Sequence, residues 1–182
     1  YDYFGAAANP SGGTGNTAGY YSFDLGGWHV AMLNTEIATA TNSAQMAWLL
    51  QDLNGRTNQR AIAMFHKPMW GSSSAGSGSS QWLWEAAVNA GVELVLNGHA
   101  HIYERLVPMD ALGNPSASGV RQITVGTGGI SLGGFSSDPP TSEVRDRSTH
   151  GVLRIVLYPN RYRWQFIPAP GFGTFTDSGT EG

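Results

Sequence analysis

Between Tyr20 and Leu96 the apolar residues change period several times, and this order limits what the chain can build more than any other feature does. Two short runs, Tyr20 to Leu25 and Trp28 to Asn34, flank Gly26-Gly27 and predict a β-hairpin. Asn42 followed three residues later by Gln45 has the form of a capping box, and Met46, Leu49, Leu50 and Leu53 then recur on one helical face before Gly55. Arg60 to Phe65 is short and apolar, as a buried strand is, and Pro68 ends its ladder. A second helix is expected over Gln81 to Ala90, capped by a serine of the Gly71 to Ser80 stretch and closed by Gly91. Val92 to Leu96 is the next buried strand. Strand, helix, strand, helix, strand builds a parallel sheet with crossover helices, and ligands of such sheets gather beyond the carboxyl ends of the strands.

The remainder reads as β structure. Val120 to Val125, Gly151 to Tyr158 and Tyr162 to Ile167 carry strand patterns, with Pro159-Asn160 as the turn between the last two. Tyr162, Trp164 and Phe166 alternate with Arg161, Arg163 and Gln165, which predicts one buried and one wet face. Residues 1–19 are rich in Gly and Pro and read as a loop. No repeat or linker divides the chain, so all 182 residues are expected in one α/β domain.

Charge and cysteine content narrow the chemistry. With 10 Lys plus Arg against 13 Asp plus Glu, the net charge of −3 leaves no basic field to neutralise a run of nucleic-acid phosphates. No apolar run has the roughly 18–20 residues of a membrane-crossing helix. The absence of cysteine removes disulfides, thiolate nucleophiles and Cys-based zinc sites, leaving His, Asp and Glu as metal ligands. Only 13% of residues are charged while Gly, Ser and Thr abound, a balance expected of a secreted protein.

Three of the five histidines fall at predicted strand ends on one sheet edge: His66 after the strand ending at Phe65, and His99 and His101 after Leu96. Two residues apart in an extended segment, His99 and His101 leave the same face with backbone anchors about 6.6 Å apart. Such a pair can offer one imidazole to each of two ions, with an isolated histidine on the neighbouring strand end as a further contact. On spacing alone, two surface or core histidines are the better account, and the wider string decides between them.

Gly98-His99-Ala100-His101-Ile102-Tyr103-Glu104-Arg105 resembles the G-H-x-H-x-Y-E-R signature of the calcineurin-like metallophosphoesterases, in particular their purple acid phosphatase-like branch. Phe65-His66-Lys67-Pro68 is similar to that family's upstream single-histidine motif. Tyr20 to Asp24, Trp28 to Glu36, Val125 to Gly129, Gly151 to Leu153 and Phe175 to Gly179 also match, in the family's order. The resemblance implies that the chain is the C-terminal half of a four-layer α/β/β/α sandwich. It further implies that His66 and His99 bind one metal, and His101 a second. The metals would be zinc, iron or manganese, and would activate a water or hydroxide for attack on a phosphate ester. Asn97, Tyr103, Glu104 and Arg105 are expected to anchor the histidine loop by packing and hydrogen bonds.

The family's D-x-H, G-D-x-x-D and G-N-H-D/E motifs, which lie N-terminal to the single histidine, have no counterpart here, and Tyr1 aligns just after the last of them. A partial catalytic domain over 1–182 is therefore expected to hold at most one ion and to be inactive without the missing N-terminal half. Its uncovered faces call for the complementary half or a second copy of itself. A catalytically silent structural or interaction module is the alternative, and a mononuclear three-histidine hydrolase ranks last. The serines of 71–80 stand where relatives often place a further histidine, which leaves leaving-group protonation without its usual donor. His29 is read as a satisfied structural histidine, His150 receives no role, and Lys67 is read as a solvated charge. Val125 to Gly129 lacks the lysine and helix of a phosphate loop and is read as a tight turn near the metal edge.

Overall fold

A computed structural model describes residues 19–57, 60–74 and 78–182. The loop expected over residues 1–19 lies outside them except for Gly19, as does the middle of the serine-rich stretch. Two strands, β1 (Tyr21–Leu25) and β2 (Trp28–Met32), form the hairpin about Gly26 and Gly27, both at positive φ as a two-residue turn of this kind requires. Then follow α1 (Ala44–Gly55), β3 (Arg60–Met64), α2 (Gln81–Asn89), β4 (Leu94–Asn97), β5 (Tyr103–Leu106), β6 (Arg121–Val125), β7 (Ser142–Asp146), β8 (Gly151–Tyr158), β9 (Arg161–Pro168) and β10 (Ser178–Glu181).

Both helix starts differ in detail from the sequence reading. Ser43, not Asn42, caps α1, its side chain accepting from the Met46 N–H at 3.2 Å. Gln45 is instead buried and clasps the backbone of Asn34, accepting from its N–H at 2.7 Å and donating to its carbonyl at 2.9 Å. Ser80 stands at the head of α2 without capping it. Its hydroxyl donates to the Lys67 carbonyl at 2.6 Å and so ties the helix start to the residue after His66.

Seven strands make one mixed sheet in the order β1-β2-β3-β4-β6-β5-β7, in which β2, β3, β4 and β6 run parallel. Alternation along each strand then sorts two cores. Ala61 and Ala63 of β3, with Ala31, Val95 and Leu106, meet Met46, Leu49 and Leu53 of α1 and Leu83, Trp84 and Ala87 of α2. Ile62, with Trp28, Leu94, Tyr103 and Ile123, faces the opposite way, onto Tyr162, Trp164 and Phe166 of β9. That second face is covered by a three-stranded antiparallel sheet, β10-β9-β8. Helices, large sheet and small sheet are three of the four expected layers.

Carboxylates fasten the two sheets. Asp177 accepts from the Tyr103 hydroxyl at 2.6 Å, Arg105 Nε at 2.8 Å and Trp164 Nε1 at 3.1 Å. Glu181 accepts from Arg121 Nε at 2.5 Å and the Tyr162 hydroxyl at 2.6 Å, while Glu143 of β7 takes both Arg105 and Arg121. The small sheet covers only part of the apolar face. A groove of about 600 Å³ remains, lined by Phe23, Val30, Ile62 and Met64 opposite Leu153 and Leu157. No helix among the described residues is long and apolar enough to cross a membrane.

Candidate functional site

The parallel strands deliver His66 and the 97–102 segment to the same sheet edge. Backbone pairing runs past both strands: Phe65 N–H donates to the Leu96 carbonyl at 3.1 Å and Gly98 N–H to the His66 carbonyl at 3.0 Å. The buried Asn97 side chain donates to the Phe65 carbonyl at 2.7 Å, so three hydrogen bonds hold the single-histidine strand end against the paired-histidine loop.

The His99-x-His101 segment is not extended, and the expectation of two side chains leaving one face is corrected here. Ala100 N–H donates to the Gly98 carbonyl and Ile102 N–H to the Ala100 carbonyl, both at 2.7 Å, which folds the segment into two successive tight turns. His99 takes φ +61°, and among the described residues it is the one non-glycine residue at positive φ. A side chain in this left-handed region costs about 1–2 kcal/mol. Strain of this kind persists where the surroundings impose it, and it gathers at functional sites. The imposing neighbours are visible: Gly126 N–H donates to the Ile102 carbonyl at 2.9 Å, and Gly133 N–H to the His101 carbonyl at 2.8 Å. A Cβ on Gly126 would stand 2.0 Å from the Ala100 oxygen, so only glycine lets this loop lie on the histidine turn.

The bend brings His99 Nδ1 to 3.2 Å from His66 Nε2, with ring planes 72° apart. Two nitrogens at about 2.0–2.1 Å from one tetrahedral zinc stand roughly 3.3–3.4 Å from each other, so this pair fits two ligand positions of a single ion. Burial holds the His99 imidazole below its usual basicity, and the neighbouring His66 and Lys67 push the same way. That keeps a lone pair available to a metal. Glu36, from the loop after β2, stands close by. Lys67 Nζ pairs with it at 2.9 Å, and this hydrogen bond, helped by His66 and His99, holds the carboxyl below its ordinary range.

His101 lies next to the pair without closing on it. It lines a cleft of about 360 Å³ with His99, Ser73, Ser74 and the segment Gly133 to Ser136. Among the described residues no three His, Asp or Glu side chains come together closely enough to hold a metal ion. His66 and His99 thus meet, and His101 is left to other donors.

The four residues expected to anchor the loop divide by strand alternation. Glu104 points to the helix side, where Oε2 accepts from the Ser72 N–H at 2.8 Å and so fixes the chain beyond His66. Tyr103 and Arg105 point to the other side and reach Asp177, locking β5 to the small sheet. Asn97 joins the two strand ends as described. Lys67 is paired with Glu36 rather than merely solvated. His29 is buried between two carboxylates, Nδ1 at 2.8 Å from Asp24 and Nε2 at 2.8 Å from Asp52. His150 Nε2 lies 3.0 Å from the Ile130 carbonyl. Sequence reasoning missed Glu36 as a neighbour of the histidines; it ends a matched motif, and that was its only signal.

No family model matches the chain. Individual proteins do. Purple acid phosphatase 22 of Arabidopsis thaliana is 34% identical over 161 residues, which are 81% of this chain and 36% of that protein. Purple acid phosphatase 21 of the same plant is 31% identical over 160 residues, again 81% of this chain and 36% of the relative. The chain thus spans about a third of the length of these curated relatives. Among solved structures, the purple acid phosphatase PPD1 from yellow lupin seeds superposes with a TM-score of 0.75 at 20% identity, covering 89% of this chain and 32% of the lupin protein. GAP50, described as the anchor in the inner membrane complex of Plasmodium, gives a TM-score of 0.65 at 17% identity over 87% of this chain and 52% of its own.

Proposed function

The chain belongs to the purple acid phosphatase-like branch of the calcineurin-like metallophosphoesterases, and from that premise we propose that it hydrolyses phosphate esters at the sheet edge where His66, His99 and His101 are gathered. The observation that carries this reading is the contact between His99 and His66, made by a strained histidine backbone at the edge where parallel sheets bind ligands. His66 and His99 would hold one ion, of zinc, iron or manganese, through the facing nitrogens, and His101 would contribute to a second only together with donors from the part of the relatives' length that this chain does not span. Such ions, when bound, acidify water and neutralise charge on the phosphoryl oxygens.

The chain's own residues set the stage for that chemistry. Asn97 and Glu104 hold the two histidine-bearing segments in register, the first through the Phe65 carbonyl and the second through the Ser72 N–H. Ser74 borders the cleft and offers a hydroxyl donor to phosphate oxygens, while the Ser136 hydroxyl donates to the Ser72 carbonyl at 3.0 Å and helps hold the cleft's wall. A secreted location accords with the low charge and the Gly- and Ser-rich composition. We also assign the apolar groove between the sheets, with Leu25 56% exposed beside it, to contact with the part of the relatives' length that this chain does not span. An uncovered apolar face of this extent favours association.

One observation favours the alternative of a catalytically silent module with this fold: no third ligand stands with His66 and His99 among the described residues. Metal analysis of the purified chain together with assay of an aryl phosphate separates the readings. Bound metal with turnover supports the phosphoesterase; a chain that takes up zinc, iron or manganese at no site and hydrolyses nothing is the silent module.

A further inference from the structure

The small sheet turns apolar side chains toward the large sheet and a different set of residues away from it. On β9, Arg161, Arg163 and Gln165 alternate with the inward Tyr162, Trp164 and Phe166, and register puts Arg154 of β8 opposite Gln165 on the outer side. All three arginines are exposed. The one acidic residue of the three strands, Glu181, stands opposite Tyr162 and so belongs to the inner side. Each arginine occupies its own level of cross-strand pairing. Same-side neighbours on a strand are about 6.7 Å apart, so the three levels form a row about 13 Å long.

Elsewhere the arginines meet acids: Arg60, Arg105, Arg121 and Arg145 each pair with an Asp or Glu at 2.5–2.8 Å. The three of the row have no carboxylate within ion-pair distance among the described residues. Neutral groups hold two of them in place. Arg154 Nη2 donates to Gln165 Oε1 at 2.6 Å, and the Arg161 guanidinium lies over the Tyr158 ring, 4.5 Å from its centroid. A chain of net charge −3 therefore carries one uncompensated positive face. A helix layer does not suit that face. α1 and α2 pack on Ala31, Ala61, Ala63 and Val95, whereas a helix seated here would bury three unpaired charges. This side of the small sheet is thus left to solvent and to a charged partner.

We infer that the outer face of the small sheet, with Arg154, Arg163 and Arg161 in a row, is a docking surface for an anionic polysaccharide. Charge complementarity calls for a polyanion, and a line of evenly spaced cations suits a linear one. Guanidinium groups bind carboxylates in a fork and keep their charge at any working pH. Between and beside them stand Gln165, Ser178 and Thr180, the last two on β10 opposite Gln165 and Arg163, and these neutral groups match the hydroxyls of sugar rings. Single-stranded nucleic acid asks for open aromatic platforms, and the Tyr158 ring is already covered by Arg161. The surface is separate from the histidine edge, so polysaccharide binding stands or falls independently of the phosphoesterase reading.

The test titrates the full chain calorimetrically with polygalacturonate and with neutral dextran, and sediments it with vesicles of phosphatidylserine and phosphatidylcholine. Binding to polygalacturonate alone is expected, weakening as salt is raised. Arg154→Gln, Arg161→Gln and Arg163→Gln should each lower the affinity about threefold and the triple variant roughly thirtyfold, while Arg163→Lys keeps most of it. The single variants alter exposed side chains, so their circular dichroism and thermal midpoints should match those of the native chain. Arg147→Gln, at an exposed arginine outside the small sheet, should leave the affinity unchanged. No binding to polygalacturonate, binding to the vesicles in its place, or an equal loss in Arg147→Gln and Arg163→Gln would each overturn the inference.

Discussion

Two histidine environments share one sheet and differ in every respect that matters to chemistry. His29, on β2, has a carboxylate at 2.8 Å from each ring nitrogen, Asp24 across the hairpin and Asp52 on α1, and Ser22 donates to the second of these at 2.6 Å. Burial opposes its charge, but the two carboxylates outweigh it, and its basicity is raised. His99 faces another imidazole and a lysine instead, sits in a strained backbone, and has its basicity lowered. The first histidine spends its hydrogen-bonding capacity on the fold; the second keeps a nitrogen free. Family membership alone would not separate them, because both lie within matched motifs.

The largest effect expected from breaking this contrast is on turnover. His99→Ala removes a proposed metal ligand, and the loss should exceed the roughly 10–100-fold typical of changing a ligand's supporting partner. Phosphate-ester hydrolysis and metal content should fall together while the thermal midpoint stays close to native. Undiminished hydrolysis in this variant would remove His99 from the site.

His29→Leu should show the reverse. It leaves Asp52, largely buried, with the Ser22 hydroxyl but without its cationic partner. Breaking a buried pair costs about 3–5 kcal/mol, and the exposure of Asp24 reduces this to roughly 2–3 kcal/mol. For a chain of this length that is a fall of about 5–10 °C in Tm, measured by circular dichroism. Metal binding at His66 and His99 should persist. A variant as stable as the native chain would show that the two carboxylates contribute nothing net.

Much of this arrangement was legible in the sequence. The Gly26-Gly27 hairpin, the two helices and three of the four parallel strands follow from periodicity, β6 having been legible as a strand but not as a parallel one, and the hairpin register alone places Asp24 opposite His29. The strands that escaped notice are β5, β7 and β10. Ser142–Asp146 and Ser178–Glu181 contain one apolar residue between them, Val144, and are held by ion pairs from Glu143 and Glu181 to Arg105 and Arg121. Tyr103–Leu106 was hidden inside a motif read for its chemistry. Likewise, His99 and His101 could be picked out by type and spacing, but not the left-handed turn at His99. That turn is imposed by Gly126, which arrives through the pairing of β5 with β6, and by Gly133 in the loop beyond, both distant in sequence.

A pH titration sharpens the contrast further. The His29 pKa is raised above its ordinary 6.5, so the protonated ring binds more tightly in the folded chain than in the unfolded one. Its contribution to stability is therefore complete below about pH 6.5, while the carboxylates stay ionised, and is lost as pH rises through the folded value. Chemical denaturation across that range should show the loss in the native chain and a flatter profile in Asp52→Asn, which removes one carboxylate. Equal slopes in the two proteins would mean that His29 does not carry the dependence.

The smallest effect tests the strain itself. Glycine adopts positive φ without the penalty a side chain incurs, so His99→Gly releases about 1–2 kcal/mol of strain and returns about 0.5–1 kcal/mol through the greater freedom of the unfolded chain. The net is a gain of a few tenths to about 1 kcal/mol in the metal-free protein, readable as a slightly higher denaturation midpoint than that of His99→Ala. Alanine retains a Cβ and hence the strain, and the two variants lack the imidazole alike, so their difference isolates the backbone. If glycine proves no more stable than alanine, the turn is relaxed in solution, and the 3.2 Å approach of His99 to His66 is not imposed by the fold.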